Sequence, residues 1–300
     1  MTLDEIFEQF KLERKNEVRE STMMAYALMY RNHLGPVLGQ MDPDGFTSRF
    51  LQEWIDGMDA SRKGLKDRYT LLVTILNWHR RKRDLPLVRF SVKFPPETKV
   101  ELEAYSRAEQ KKIAEYVQAH PGIREFGILL CLSTGMRIGE LCALQWQDLD
   151  LERGELYVRK TLERVYNVDM KTTRIAITEP KTPSSRRTIP IPRELLKILK
   201  RSNALVKPEY FLLSGTARPT EPRTYRNFFY DMIQKAGVRR IKFHGLRHSF
   251  ATLMVESKAD IKTVSSILGH SGVEITMDTY VHPTQESKRQ QMSKAFKGIL

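Results

Sequence analysis

Cysteine is scarce in this 300-residue chain. Only Cys131 and Cys142 occur, without CxxC spacing and among apolar neighbours. Two such residues build neither a disulfide framework nor a cysteine-based zinc site, and they read as buried free thiols. No run of about 18 apolar residues exists, so no membrane-spanning helix and no membrane partner are expected. The first residues, MTLDEIFEQFKLERK, are acidic and amphipathic. They lack the basic start and apolar stretch of a signal peptide, and a cytoplasmic location is expected. The chain has no GxxxxGK phosphate loop and no carboxylate cluster of metal-site type, so no cofactor and no metal are expected. It also lacks internal repeats and low-complexity segments.

Acidic residues are outnumbered. Fifty Lys and Arg stand against 36 Asp and Glu, giving a net charge of +14 and a pI near 9.7. That balance favours a polyanionic partner, nucleic acid first. Its distribution says more: residues 1–100 hold 17 basic against 14 acidic residues, yet the stretch from Ser61 to Arg83 holds eight basic residues and one acid, Asp67. The eight are Arg62, Lys63, Lys66, Arg68, Arg80, Arg81, Lys82 and Arg83, and they are the candidate DNA-binding set. The hydrophobic fraction of 41% is ordinary, and the length is that of two domains.

The first part reads as helices. Leu3, Ile6, Phe7 and Phe10 recur at helical spacing. Ser21 or Thr22 is placed to cap a second helix that Gly35-Pro36 ends. Phe46 to Met58 reads as a third, and Leu65 to Arg83 as a fourth with Leu72, Ile75, Leu76 and His79 inward. The stretch LPLVRFSVKFPPETK from Leu85 to Lys99 has three prolines and no helical period, which makes it the linker. Ser106 and Glu109 form a capping box that opens the next helix. Gly154 to Val165 and Arg174 to Thr178 alternate as strands, and RRTIPIP reads as a short edge strand. From Arg193 onward the pattern is helical, with loops near 207–222, 237–242 and 269–272.

The last half carries a set of polar residues in sequence order: Arg137 and Glu140 in TGMRIGEL, Lys181 in EPKTPSSRRTIPIP, His244 and Arg247 in HGLRHSFAT, His270 in LGH, and Tyr280 in MDTY. A phosphodiester under attack by oxygen gathers negative charge, and the planar fork of arginine suits it. Arg137 and Arg247 read as that clamp. Glu140, one helical turn from Arg137, reads as its orienting partner. His244 and Arg247 share the same spacing. Lys181 opens a hairpin turn, within reach of a leaving oxygen. Each residue alone has a plainer reading as a surface, capping or packing residue; seven in one order do not. His248 and His282 read as structural.

These motifs resemble the tyrosine recombinases, or phage integrases, strongly over residues 105–283 and more loosely over residues 3–90. The resemblance implies a mainly α fold with a small antiparallel β-sheet: a SAM-like helical core-binding domain at 1–90, a linker at 91–104, a catalytic domain of DNA breaking-rejoining fold at 105–283, and a tail helix at 284–300. It implies that Tyr280 attacks the scissile phosphate to give a 3′-phosphotyrosine. Arg137, His244, Arg247 and His270 then hold the phosphate, and Lys181 protonates the 5′ oxygen. Its partners are double-stranded recombination sites, a homotetramer on DNA and a directionality factor, with a nucleoid-associated location. The tail, with Met292, Phe296, Ile299 and Leu300 at helical spacing, is expected to dock on a neighbouring subunit. The stretch from Thr22 to Gly39 leans toward mobile-element integrases over Xer-type resolvases and invertases. A separate arm-binding domain before the core-binding domain is not expected. A type IB topoisomerase and a non-catalytic DNA-binding regulator are the more distant alternatives.

Overall fold

The computed structural model describes residues 1–97, 102–167, 172–180, 182–202, 206–281 and 285–297. The chain divides into two compact units, residues 1–100 with 164–174, and residues 101–163 with 175–300.

The first unit is helical: α1 (Leu3–Arg14), α2 (Glu20–Met29), α3 (Gly35–Leu38), α4 (Ser48–Asp56) and α5 (Arg62–Lys82). A capping box of Thr2 and Glu5 starts α1, and Leu3, Ile6, Phe7 and Phe10 form its buried face. Thr47 caps α4 and Ser61 caps α5. From α5 the buried residues are Leu65, Leu71, Leu72, Ile75 and Leu76. His79, expected inward, is only half-buried. Two helix limits also differ from expectation. The helix α2 begins after Arg19 with no side-chain cap, so Ser21 and Thr22 lie inside its first turn. Gly35-Pro36 does not end the helical path. A π-turn at Tyr30–Leu34 carries it into α3, with Pro36 near the new segment's start, where a missing N–H costs little.

The expected linker is a strap through residue 97. Val88, Phe90, Val92 and Phe94 pack against the first core. Their alternation is that of an extended chain with one buried side. Helix side chains substitute for a partner strand. Asn77 Oδ1 accepts from Val88 N at 2.8 Å, Ser48 Oγ from Ser91 N at 3.0 Å, and Gln52 Oε1 from Lys93 N at 2.7 Å. Tyr69 Oη donates to Phe90 O at 2.9 Å.

The second unit opens with α6 (Arg107–Ala119), capped by the expected Ser106–Glu109 box, then α7 (Ile123–Thr134) and α8 (Ile138–Ala143). Strands β1 (Leu149–Asp150), β2 (Glu155–Val158), β3 (Thr161–Asn167), β4 (Thr172–Thr178) and β5 (Arg187–Pro190) follow in the chain, with residues 164–174, which take in parts of β3 and β4, grouped in the first unit. An antiparallel sheet has the order β1-β2-β5, and β3 pairs with β4. The register sets Leu156 opposite Ile189 and Val158 opposite Arg187. Its proline-bearing strand is at the edge, as a missing ladder donor requires. Helices α9 (Arg193–Ser202), α10 (Pro222–Lys235), α11 (Gly245–Glu256), α12 (Ile261–Leu268), α13 (Val273–Tyr280) and α14 (Gln285–Phe296) complete the unit. Ile128, Leu130, Leu141, Leu156, Leu212, Tyr225, Phe229 and Leu246 lie in one core, with Cys131 and Cys142 as buried free thiols. Among the described residues no helix is long and apolar enough to cross a membrane.

Two glycines bring backbone against the site. Gly135 ends α7 in the left-handed region at φ +65°, and a Cβ there would lie 2.7 Å from both Leu268 and Phe250 side chains. Gly269 ends α12 at φ +68°, with a Cβ position 3.0 Å from Ser184 O. Both positions require glycine on sterics and on dihedral angle.

Gln52 also donates from Nε2 to Lys93 O at 3.2 Å, so replacing it by Ala should remove two bonds to Lys93 and destabilise the protein by about 1–2 kcal/mol. In hydrogen exchange of the full chain, the Lys93 amide should lose its protection while the α5 core amides keep theirs.

Candidate active site

Arg137 is the N-cap of α8, at the foot of the Gly135 turn. Its backbone N–H donates to Glu140 Oε2 at 2.9 Å and its Nη1 to Glu140 Oε1 at 2.8 Å. Glu140 is buried and has a second cation. Arg187, at the start of β5, donates from Nη2 to Oε2 at 2.9 Å and from Nη1 to Oε1 at 3.1 Å. Both the Arg187 and Glu140 side chains are only 4% exposed. Arg187 Nε also donates to Ile267 O at the end of α12. One carboxylate thus ties α8, β5 and α12 together. Burial alone would raise its pKa, but the Arg187 hydrogen bonds and the charges of Arg187 and Arg137 outweigh that and hold it below the ordinary glutamate value.

Helix α11 supplies the next groups. His244 is its N-cap and Arg247 lies in its first turn. Arg247 is 2% exposed, and its Nη1 donates to Gly135 O at 2.9 Å. Its Nη2 is buried without a hydrogen-bond partner among the described residues. Burial first, then the Arg137 charge, push Arg247 down to about 9, which leaves it a cation at neutral pH. His270 follows Gly269, and its Nδ1 meets Thr276 Oγ1 at 2.7 Å. That bond fixes the ring and leaves Nε2 as its free edge. Desolvation and the three arginines lower His270 to about 4. His244 is lowered too, by desolvation first and then by His248, Arg247 and Arg137. Both imidazoles are neutral at pH 7.

Arg137, Glu140, His244, Arg247 and His270 line one cavity of about 570 Å³, with Thr182, Ser185 and Ser271 in its wall. Five of the seven expected site residues therefore meet. Lys181 lies outside the described residues. Tyr280, the last residue of α13, is not in the cavity wall. It is partly buried against Phe250, Ala251, Val264 and Leu268, and its Oη is 2.7 Å from His248 Nδ1.

Two site residues escaped the sequence reading. Arg187 had a signal: it stands two residues before buried Ile189 in a strand, hence on the same face. His248 was set aside as structural, yet it touches the phenol. Its signal was the i, i+4 relation to His244, which local sequence alone does not tie to Tyr280.

The basic residues of α5 form two groups. At about 1.5 Å rise per residue the ends of this 21-residue helix are about 30 Å apart. At its start, Arg62 bonds Pro95 O and Arg68 lies near Met58 Sδ and His33. At its end, Arg80 pairs with Asp44 and Lys82 with Glu13, and Arg83 lies near His79. Lys63, Lys66 and Arg81 are exposed, with no ion pair among the described residues. No group of three or more His, Cys, Asp or Glu that could hold a metal ion occurs among the described residues.

Residues 105–287 match the phage integrase family, and residues 2–58 match the phage integrase N-terminal SAM-like domain. The chain belongs to the phage integrase family. It is 30% identical to a XerC-like tyrosine recombinase of Caldanaerobacter subterraneus subsp. tengcongensis, over 94% of this chain and 78% of that one. Among solved structures it is similar to the Tn1549 transposon integrase in complex with circular intermediate DNA, at 24% identity and TM-score 0.77, covering 98% of this chain and 100% of that one. It is also similar to a lambda integrase tetramer bound to a Holliday junction, at 17% identity and TM-score 0.61, covering 93% and 77%. These structural likenesses establish the fold. With the family they make the protein a tyrosine site-specific recombinase, mainly α with small antiparallel sheets.

Replacing Glu140 by Gln should strand the buried Arg187 charge and destabilise this recombinase by about 3–5 kcal/mol. Adding Arg187→Met should recover part of that loss, measurable as a double-mutant cycle in urea. Because the folded pKa of Glu140 is depressed, its contribution should be complete above the ordinary glutamate range. It should fade as pH falls through the lowered folded value, so acid should narrow the gap between wild type and Glu140→Gln.

Proposed function

We propose that this recombinase cuts and rejoins DNA at specific sites through a 3′-phosphotyrosine on Tyr280, and that it serves the integration and excision of a mobile element. The observation that carries the chemistry is the unpartnered Nη2 of Arg247, buried in the wall of a cavity that Arg137 also lines. A buried guanidinium N–H with no acceptor is costly unless a ligand supplies one. A phosphate oxygen is the acceptor this site suits, because a second arginine and two neutral imidazoles stand around the same space.

Arg137 and Arg247 hold the non-bridging oxygens, more tightly as charge accumulates in the five-coordinate state. His244 and His270, neutral at pH 7, donate hydrogen bonds without adding fixed charge. Glu140 positions Arg137 through both its backbone and its guanidinium. Lys181 gives a proton to the departing 5′ oxygen. The phosphodiester energy is kept in the Tyr280–phosphate bond, so a 5′-hydroxyl from a second duplex can reverse the step without an external energy source. Two such rounds pass through a Holliday junction.

On DNA the protein acts as a homotetramer. Residues 1–90 form the core-binding domain, 91–104 the linker, 105–283 the catalytic domain and 284–300 the tail. Lys63, Lys66 and Arg81 are the cations of α5 without an ion pair among the described residues, and Arg62, Arg68, Arg80, Lys82 and Arg83 contribute where their present partners yield to phosphate. On α14, Met292 and Phe296 are 64% and 48% exposed. That face suits docking on a neighbouring subunit; Ile299 and Leu300 lie outside the described residues. A directionality factor belongs to the same scheme. The mobile-element role is supported by the likeness to a transposon integrase. The XerC-like relative favours a second reading, a chromosome-dimer resolvase with the same chemistry.

A suicide duplex, nicked beside the scissile phosphate of the protein's own recombination site, should trap a covalent protein–DNA band with wild type and none with Tyr280→Phe. A band in both would move the nucleophile elsewhere. Arg247→Lys should slow the trapping about 10²–10³-fold. Loss of Lys63, Lys66 and Arg81 together should reduce the slope of log affinity against log salt by about 2–3 without changing site preference.

A further inference from the structure

The phenol of Tyr280 is held by a side chain that the scheme above leaves idle. His248 Nδ1 and Tyr280 Oη are 2.7 Å apart, with ring centroids at 5.7 Å and planes inclined by 50°. This is the distance of a committed hydrogen bond, within the range expected between a general base and the proton it removes. No other side-chain hydrogen bond of the Tyr280 hydroxyl is recorded among the described residues. His248 stands one residue after Arg247, so it leaves α11 in a different direction from the phosphate-facing guanidinium. It is i, i+4 to His244, whose ring meets it edge-on at 4.7 Å.

We propose that His248 is a catalytic residue of this recombinase: it takes the proton of Tyr280 as the phenol attacks the scissile phosphate. The inference rests on Tyr280 being the nucleophile. With the ring proton on Nε2, Nδ1 accepts from Oη. In the step, the Tyr280 O–H bond breaks and its proton passes to Nδ1, giving an imidazolium. The Oη–phosphorus bond forms, the phosphorus–O5′ bond breaks, and the leaving 5′ oxygen takes its proton from a separate acid, assigned above to Lys181. On rejoining, the imidazolium returns its proton to Oη.

The electrostatics fit this division of work. Tyr280 is partly buried, and desolvation raises its pKa more than the Arg247 charge lowers it, so the phenol enters the reaction protonated and needs a base. His248 is lowered, by desolvation first and then by Arg247, so it enters neutral. The charged and titratable groups recorded around it are Arg247 and His244 on its own helix and Tyr280 on α13. Among the described residues its one cationic neighbour is therefore the residue that the phosphate is to neutralise. Without DNA, Arg247 opposes protonation of His248. With a phosphodiester seated, and more so as the transition state gains charge, that opposition is offset. The base strengthens when its substrate arrives, and Tyr280 is not activated toward water or stray electrophiles beforehand.

The test is single-turnover formation of the covalent complex on the suicide duplex, using the full chain. Wild type, His248→Ala, His248→Gln and Tyr280→Phe are compared, with folding checked by melting temperature and DNA affinity. Each His248 variant is also prepared with a ring-fluorinated tyrosine at 280, whose phenol ionises more readily. His248→Ala and His248→Gln should both slow the covalent step about 10²–10⁴-fold with unchanged DNA affinity. The wild-type rate should level off above the lowered His248 value. In the variants it should climb with pH toward phenol ionisation, and the fluorinated tyrosine should recover most of the loss. A wild-type rate and pH profile in folded His248→Ala would remove His248 from the chemistry while leaving Tyr280 in place. Rescue by Gln alone, or a loss that fluorination does not repair, would reduce His248 to a positioning residue and overturn the proposal. No band in wild type, or a band in Tyr280→Phe, would instead remove the nucleophile assignment, and this inference with it.

Discussion

The site depends on one buried carboxylate. Glu140 accepts from Arg137 on its own helix turn and from Arg187 on β5, and Arg187 continues to the carbonyl end of α12. Three elements distant in sequence are fixed around a single negative charge. A charge so buried is tolerated because both oxygens are fully engaged by cations. The arrangement also sets the field of the cavity. Arg187 is neutralised by Glu140 inside the wall, whereas Arg137, sharing the same carboxylate, keeps its remaining N–H groups for the cavity. Arg247 has no ion pair among the described residues and donates to a carbonyl, with Glu140 acting on it only at a distance.

Glycine then decides how close these groups come. Gly135 turns the chain so that its carbonyl meets Arg247, and its missing side chain lets Leu268 and Phe250 close the floor. Gly269 lets the α12 end sit against Ser184 and Arg187 while it releases His270 toward the cavity. Side chains of a buried core hold α11 and α12, and two left-handed glycines aim what those helices carry. Packing supplies rigidity and backbone freedom supplies direction.

Much of this was legible in the sequence, for stated reasons. The helices of the first unit follow from apolar spacing, and the edge position of β5 from its prolines. The convergence of Arg137, Glu140, His244, Arg247 and His270 follows from i, i+3 pairs and from motifs that only make chemical sense together. What was not legible needed either a second period or a tertiary contact. The strap at 88–94 alternates every two residues, a signal masked by the prolines around it. The helical path through Gly35-Pro36 survives because a π-turn widens just before the proline, which no local propensity announces. Arg187 was one basic residue among several in the expected edge strand until the register put Val158 opposite it and buried Ile189 on its face.

His248 shows where sequence reasoning stops and geometry begins. In a motif that already contains a histidine and an arginine with evident roles, a further histidine adds nothing that spacing can interpret. Its neighbours on α11 point it away from the cavity lined by His244 and Arg247, which argues for a packing role. Only the fold of α13 over α11 brings the Tyr280 hydroxyl to its Nδ1. The same fold keeps the phenol out of the cavity wall and against Phe250, Val264 and Leu268, where desolvation holds it protonated. Under the proposed assignment Tyr280 is a nucleophile kept neutral by burial and bonded to a neutral base whose only cationic neighbour among the described residues is Arg247, so its reactivity is tied to occupancy of that arginine. In that scheme the charge that binds the substrate also sets when the tyrosine acts.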